Sequence, residues 1–406
     1  GAAAGPAGSP VPHSGVGRAV RTRSVEQRAA RMAHGDRSWS WRVDVTTVVY
    51  ATGLGASSIA LPLLAVDAGY SLAQVGVLTA VSAVAQILVR LGLGAALRRF
   101  PDRLLITLAS LLLALSFFAV MPSTHIALFV LAQAAQGFSR ACFWTGMQAH
   151  VVRDDRFVTK NLARNFTMAN IGLLLGPVAA GFLLEASTDL ALLSGAALGG
   201  AATVLSLTMR RLRPFAPPGS SARSPLRRRP LVVTGCVAAG VAGAWQGLLG
   251  SYMPAVLGEA GHTAGVVGVL VALASAANTT STAALTRVRL GDSPRALVLS
   301  CLAVGAGVGL LGVASPWVTS AAACLLISGL GSGVLQTLGS AVASESVHPE
   351  ERGQTIALTG TVRSAAMFGS PLAVAGFLQV AGVTAALGVV GVGLLLPVLR
   401  FRKRWR

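Results

Sequence analysis

Residues Gly172–Gly181 read GLLLGPVAAG, inside an apolar run from about Phe166 to Leu184. At 1.5 Å of rise per residue, a helix of that length crosses a bilayer core. Gly172 and Gly176 stand four apart, so they share one helix face, and their bare backbone lets a neighbouring helix approach closely. Pro177 removes one backbone donor and bends the helix; a membrane tolerates this where neighbours satisfy the freed carbonyl. The stretch is therefore read as a bent, closely packed membrane helix.

The rest of the chain agrees. Its 406 residues are 53% hydrophobic and 12% charged, with a mean hydropathy of +0.67. That composition excludes an ordinary soluble globule and a disordered chain. Twelve apolar runs of membrane length can be marked: 43–65, 72–94, 104–121, 126–147, 166–184 and 188–209, then 231–257, 264–286, 296–314, 317–343, 354–378 and 381–399. The expected fold is an all-α membrane protein of twelve transmembrane helices in two six-helix bundles. Residues 1–38, rich in Ala, Gly, Pro, Ser and Arg, are read as a disordered basic cytoplasmic tail without the apolar segment of a signal peptide. Residues 39–209 form the N-terminal bundle, 210–230 a solvated linker, 231–400 the C-terminal bundle and 401–406 a basic tail.

Charge sets the orientation. The net charge of +19 would suit a nucleic-acid partner, but its placement argues against one. Lys and Arg collect in the N-terminal tail, after the second and fourth runs (Arg98, Arg99, Arg103; Arg153, Arg156, Lys160, Arg164), in the linker, after the eighth and tenth runs, and in the C-terminal tail. The opposite loops carry Asp67, Glu185, Asp189 and Glu259 instead. This positive-inside pattern puts both termini in the cytoplasm and makes the basic charge topological. Trp39, Trp41, Trp317 and Trp405 fall near the expected interfaces. Heavy use of Arg over Lys, with Ala, Gly and Val, points to a GC-rich bacterium and so to a bacterial cytoplasmic membrane. Cys142, Cys236, Cys301 and Cys324 sit in apolar runs without metal-ligand spacing and read as buried small hydrophobes. Gly305–Gly312, GAGVGLLG, lies within a run and reads as helix packing. No metal site, cofactor motif or hydrolase elbow is expected.

Internal repetition supports the two halves. Gly94–Arg99 (GAALRR) and Thr282–Arg287 (TAALTR) follow the second and eighth runs, and GPVAAGFLLE of the fifth run corresponds to SPLAVAGFLQ of the eleventh. With these residues in view, the chain resembles the major facilitator superfamily over about residues 40–400. Gly172–Gly181 resembles GxxxGPxxGG, the fifth-helix motif of that family's antiporters, with Ala180 replacing one glycine. Residues 94–106, GAALRRFPDRLLI, resemble the family's GxLaDrxGrr loop. Arg98 stands where the family has Asp, Pro101 where it has Gly, and Asp102 comes four positions late. The fourth run resembles the antiporter RxxqG motif: Gln136 and Gly137 match, Gln133 takes the arginine position, and Arg140 supplies a charge one turn further on.

The resemblance implies a secondary transporter whose halves rock about a central site. Candidates for the cavity are Tyr50, Gln133, Gln136, Arg140, Trp144, Asn170, Trp245, Gln246, Asn278, Gln336 and Arg363. Arg140 and Arg363 lie deep in their runs, where a guanidinium is costly unless it faces a cavity or partner. With no acid in the middle of any run, these two arginines imply an anionic or carboxylate-bearing substrate, gripped by planar forks. Arg90, nearer the cytoplasmic end, is read as snorkelling to the interface. Conformational candidates are Asp44, Arg90, Asp102, Gly172, Gly176, Pro177, Gly181 and Glu345. A rival reading pairs Arg140 or Arg363 with Asp44 or Glu345 as a structural latch. Efflux of a small organic molecule by a monomer among membrane lipids, without cofactor, is preferred. The alternatives are uptake on the same fold, or a non-transporting sensor or enzyme.

Overall fold

The computed structural model describes Gly1, Ala2 and residues 41–399, except residues 59, 63, 66, 71, 122–124, 154–157, 216–224, 263, 287–292 and 379–381. The rest of the N-terminal tail, the C-terminal tail, the middle of the 210–230 linker, Trp39 and Trp405 fall outside the described residues. The first half consists of α1 (Trp41–Pro62), α2 (Leu72–Arg99), α3 (Asp102–Val120), α4 (Ile126–Val151), α5 (Val158–Ala186) and α6 (Thr188–Leu207). The second half consists of α7 (Pro230–Leu249) and its short continuation α8 (Tyr252–Glu259), then α9 (Ala264–Ala284), α10 (Ser293–Ala314), α11 (Val318–Glu345), α12 (Arg352–Leu378) and α13 (Val383–Leu395).

Ten of these helices are long and apolar enough to cross a membrane on length and composition alone. The other two crossings have visible reasons for falling short. α12 is long enough, but Arg352 and Arg363 sit in it; α13 belongs to a shorter apolar stretch, Thr384–Leu399. The single run read at 231–257 is broken: α7 ends at Gly250 and the chain restarts at Ser251, whose non-helical backbone precedes α8. The twelve-crossing fold holds, with the seventh crossing made of two helices.

Local chemistry sets the boundaries. Pro101 separates α2 from α3, as a residue that cannot continue a helix should. Ser187 caps α6 by accepting from the Leu190 amide, and Asp189 adds an acid to the positive first turn. Pro230 opens α7, where its missing N–H costs nothing. Before α12, Pro349–Glu351 form a 3₁₀ turn closed by a reciprocal His348–Glu351 capping box. Large apolar side chains such as Leu88, Phe182, Val269, Leu299 and Leu372 point outward, an inversion that a lipid surround permits and water does not.

Helix packing repeats between the halves. α3 lies against α4 and α6, and α2 against α4; correspondingly, α10 lies against α11 and α13, and α9 against α11. One apolar cluster spans mainly α1 to α6, with Phe117, Phe129 and Phe143 at its centre. A second spans α7 to α13 around Trp245, Leu325 and Leu335. The halves meet through α2 against α12 and α5 against α9, a pairing with the same approximate twofold symmetry.

The quoted stretch does what its spacing requires. A Cβ on Gly172 would lie 2.5 Å from the Val48 oxygen and 2.6 Å from the Ala51 Cβ. One on Gly176 would strike the Thr52 oxygen and lie 2.6 Å from the Ala56 nitrogen. α5 therefore packs backbone to backbone on α1, with Pro177 against Gly55. Gly181 differs: nothing among the described residues lies within 4 Å of its would-be Cβ, so the close-packing expectation is corrected there. The second half has the same contact by other means. Gly243 and Gly247 of α7 press on the backbone oxygens of Arg363 and Met367 in α12.

The end of the molecule that bears the linker is tied across the halves. Arg352 Nη1 donates to the Val152 oxygen (3.0 Å) and its Nε to the Ser344 oxygen (3.2 Å). Thr159 Oγ1 donates to Glu345 Oε1 (3.3 Å). Phe215, at the start of the linker, donates its amide to the Leu97 oxygen and lies under the Arg153 guanidinium, 3.7 Å from ring centroid to carbon. A Cβ on Gly353 would lie 2.7 Å from that ring.

On the same side Arg229 grips Glu351 with two bonds of 2.6 and 2.7 Å. The guanidinium holds the Glu351 carboxyl below its ordinary value. A depressed carboxyl stabilises the fold above its unfolded value, near 4.5, and that contribution fades as pH falls through the lower folded value. Glu351→Gln is thus expected to cost about 1.5–3 kcal/mol near neutrality. The difference in thermal midpoint from wild type should shrink below about pH 4; a gap independent of pH would refute the assignment.

Candidate functional site

A cavity of about 260 Å³ lies between the halves. Its walls come from α1, α2, α4 and α5 on one side and α7, α11 and α12 on the other. Sequence candidates Arg140, Trp144, Asn170, Gln246, Gln336 and Arg363 all line it. Asn278 stands one hydrogen bond behind, accepting from Asn170 Nδ2 at 3.0 Å across the α5–α9 seam.

Arg363 is the most heavily supported side chain here. Its Nη2 donates to Gln246 Oε1 (2.8 Å) and Gln336 Oε1 (2.7 Å), and its carbon sits 5.4 Å from the centroid of Phe166. Two amide dipoles and an aromatic face thus hold a charge that no carboxylate among the described residues neutralises. Arg140, on α4, lines the opposite side; its Nε is buried without a hydrogen-bond partner.

Four sequence candidates sit elsewhere. Tyr50 is fully buried, stacked on Phe143 with centroids 3.5 Å apart, its hydroxyl 2.7 Å from Ser139 Oγ. It backs Trp144 edge-on at 5.9 Å and does not face the cavity. Gln136 is bound inside the first bundle: its Oε1 accepts from Ser57 (3.1 Å) and its Nε2 donates to Ser116 (3.2 Å). Gln133 is buried in α4 and Trp245 in the second apolar cluster, both off the lining.

Arg90 requires the opposite correction. It does not snorkel: it is 6% exposed and lines the cavity. A long side chain on α2 can reach either the interface or the α12 seam, and the bare backbone of Gly360 opens the second route. Gln86, Gln148, Gly360 and Ser364 were missed; Gln86 Nε2 donates to Ser364 Oγ at 3.0 Å, joining α2 to α12. The sequence signal for Gln86 and Arg90 was their spacing of four, one shared helix face.

The remaining conformational candidates lie toward the linker end. Asp44 is ion-paired with Arg164, and Glu345 accepts from Thr159, so neither meets Arg140 or Arg363. The latch reading loses its acids. Asp102 is fully buried at the start of α3, with Oδ2 3.1 Å from His150 Nδ1 and 3.4 Å from Arg153 Nε. It ties the α2–α3 turn to the end of α4. Cys142, Cys236 and Cys301 are buried and unpaired, and Cys324 is half-buried. No group of three or more His, Cys, Asp or Glu suited to a metal occurs among the described residues. The lining contains no Asp, Glu or His among the described residues.

Twelve crossings in two like-packed halves, meeting around a cavity that three arginines line, define a transporter scaffold. The sequence matches the Major Facilitator Superfamily over residues 43–371, and the chain belongs to that family. No match was found among curated proteins. Among solved structures it is similar to the human organic anion transporter MFSD10 (TETRAN), with 16% identity, TM-score 0.73, and 90% of this chain covering 99% of that one. It is also similar to the transporter FucP in the outward conformation (14%, TM-score 0.72, 90% and 98% covered). A third is a bacterial homologue of the iron transporter ferroportin in an outward-facing state (16%, TM-score 0.70, 90% and 98%). At these identities the likeness concerns the fold.

Proposed function

We propose that this chain is a secondary transporter that exports a small organic anion by alternating access of its two halves to the central cavity. The observation that carries the reading is the trio Arg90, Arg140 and Arg363 around a cavity whose described lining holds no acid. Uncompensated guanidinium groups in a low-dielectric site are strongly unfavourable, and an anion that binds them relieves that cost. Arginines come from both halves, so a bound anion would draw the halves together. The organic anion transporter MFSD10, similar in fold, supports the substrate class. The antiporter-like Gly172–Gly181 segment supports export over uptake.

The polarity follows from the arginine census: both termini and the 210–230 linker on the cytoplasmic side of a bacterial cytoplasmic membrane, with residues 39–209 and 231–400 as the two moving bodies. On that polarity, the ties of Arg352 and Thr159 across the halves close the cytoplasmic side. Ser221→Cys should then react with an impermeant maleimide only in inverted vesicles; labelling in intact cells would reverse the topology.

Substrate charge is tested by purified protein in liposomes. Saturable exchange of radiolabelled benzoate, unaffected by excess choline or fucose, is the expected result. Saturable choline or fucose flux that benzoate does not inhibit would overturn the anion reading.

A further inference from the structure

Arg90 and Arg140 differ from Arg363 in one respect. Arg363 already spends one amine on two amide oxygens and rests by an aromatic face. Arg90 and Arg140 take part in no hydrogen bond or ion pair among the described residues, and the Nε of each is buried without a partner. Arg90 is more than nine-tenths buried. A buried guanidinium with its donors empty is expensive, and nothing among the described residues supplies the acceptor.

The position of Arg90 is set by its surroundings. On α2, Gln86 and Arg90 are four apart; on α12, Gly360 and Ser364 are four apart. The Gln86–Ser364 bond registers one pair of turns, and Arg90 lies over Gly360 on the next, so near that a Cβ there would strike Arg90 Nη1. Gly360 is also three residues from Arg363, on the same face of α12. The missing side chain at 360 thus lets a guanidinium of the first half lie across the seam beside that of the second. Arg140 stands on a different wall, α4.

We infer that the cavity is built for a dianion, with one anionic group taken at the Arg90–Gly360–Arg363 seam and the other at Arg140. This rests on the anion reading above and adds a charge number to it. Each partnerless guanidinium takes one anionic group, with Arg363 reinforcing the seam group. A monoanion would leave one of the two empty. Gly360 is a positioning residue, fixing where Arg90 points.

The test compares benzoate with isophthalate, which differ by one carboxylate, on the purified full chain at constant ionic strength. Binding is read from the ligand dependence of thermal unfolding. Isophthalate should act at a concentration at least tenfold below benzoate. In Arg90→Gln that gap should collapse, isophthalate falling to the level of benzoate. Gly360→Ala keeps every charge and meets only the movable end of Arg90, so it should fold as wild type and still lose most of the gap. Equal affinity for the two acids in wild type would overturn the dianion inference and leave the anion reading standing. Stabilisation by benzylamine but by neither acid would overturn both. A gap that survives Arg90→Gln and Gly360→Ala would remove the seam from the site.

Discussion

Gly176→Ala is expected to reduce transport by more than about a hundredfold while the protein still inserts. The added methyl would meet the Thr52 oxygen, the Ala56 nitrogen and the Gly55 Cα, all backbone atoms of α1. Backbone inside a helix cannot turn aside as a side-chain tip can, so the two helices must separate. Overpacking of this kind costs about 1–3 kcal/mol or more. α1 and α5 both line the cavity, so their separation displaces the walls of the site as well as weakening the bundle. Gly181→Ala is the control, since that position is open; it should transport as wild type. Equal flux in the two variants would show that the α1–α5 contact does not matter to turnover.

Arg363→Lys should raise the KM for the transported anion by about 10- to 100-fold with little loss of inserted protein. Lysine keeps the charge but not the planar fork, and a single ammonium cannot hold the Gln246 and Gln336 oxygens in place while presenting a second edge to the substrate. Leaving a buried amide oxygen without its donor costs about 1–3 kcal/mol, which is that range of affinity at about 1.4 kcal/mol per tenfold. Asp44→Asn should leave KM alone, because Asp44 is occupied by Arg164. An unchanged KM in Arg363→Lys would remove Arg363 from the site.

The sequence revealed the crossings and the halves because bilayer thickness sets a length that apolar runs must meet, and duplication leaves matching segments such as those around Pro177 and Pro371. The break at Gly250–Ser251 was passed over because the apolar run continues beyond it, although Gly250, Ser251 and Pro254 are the residues that punctuate a helix. Arg140 and Arg363 were legible as cavity-lining residues because few other environments tolerate a deep guanidinium. The amides were not. Gln136 and Gln246 look alike in an apolar helix, yet one is bound to serines inside the first bundle and the other braces Arg363. What separates them is the rotation of each helix about its axis. Hydrophobic periodicity does not report that rotation when every face, toward lipid or toward protein, is apolar. Trp245 and Tyr50 were misplaced for the same reason. Arg90 was misread because its destination depends on a glycine far away in the chain.

The two halves solve one contact with opposite donors of space. On one side the bare surface belongs mainly to α5, at Gly172 and Gly176, with Gly55 of α1 facing them; on the other it belongs to α7, at Gly243 and Gly247, against the helix that corresponds to α5. Two helices can touch when either surface is stripped, so the two halves share a clearance while the residues providing it stand on different walls. Aligning the halves therefore matches Pro177 with Pro371 but loses the glycines. A compensating exchange follows: a bulky residue on one wall of such a pair is tolerated wherever the facing wall has already been cleared.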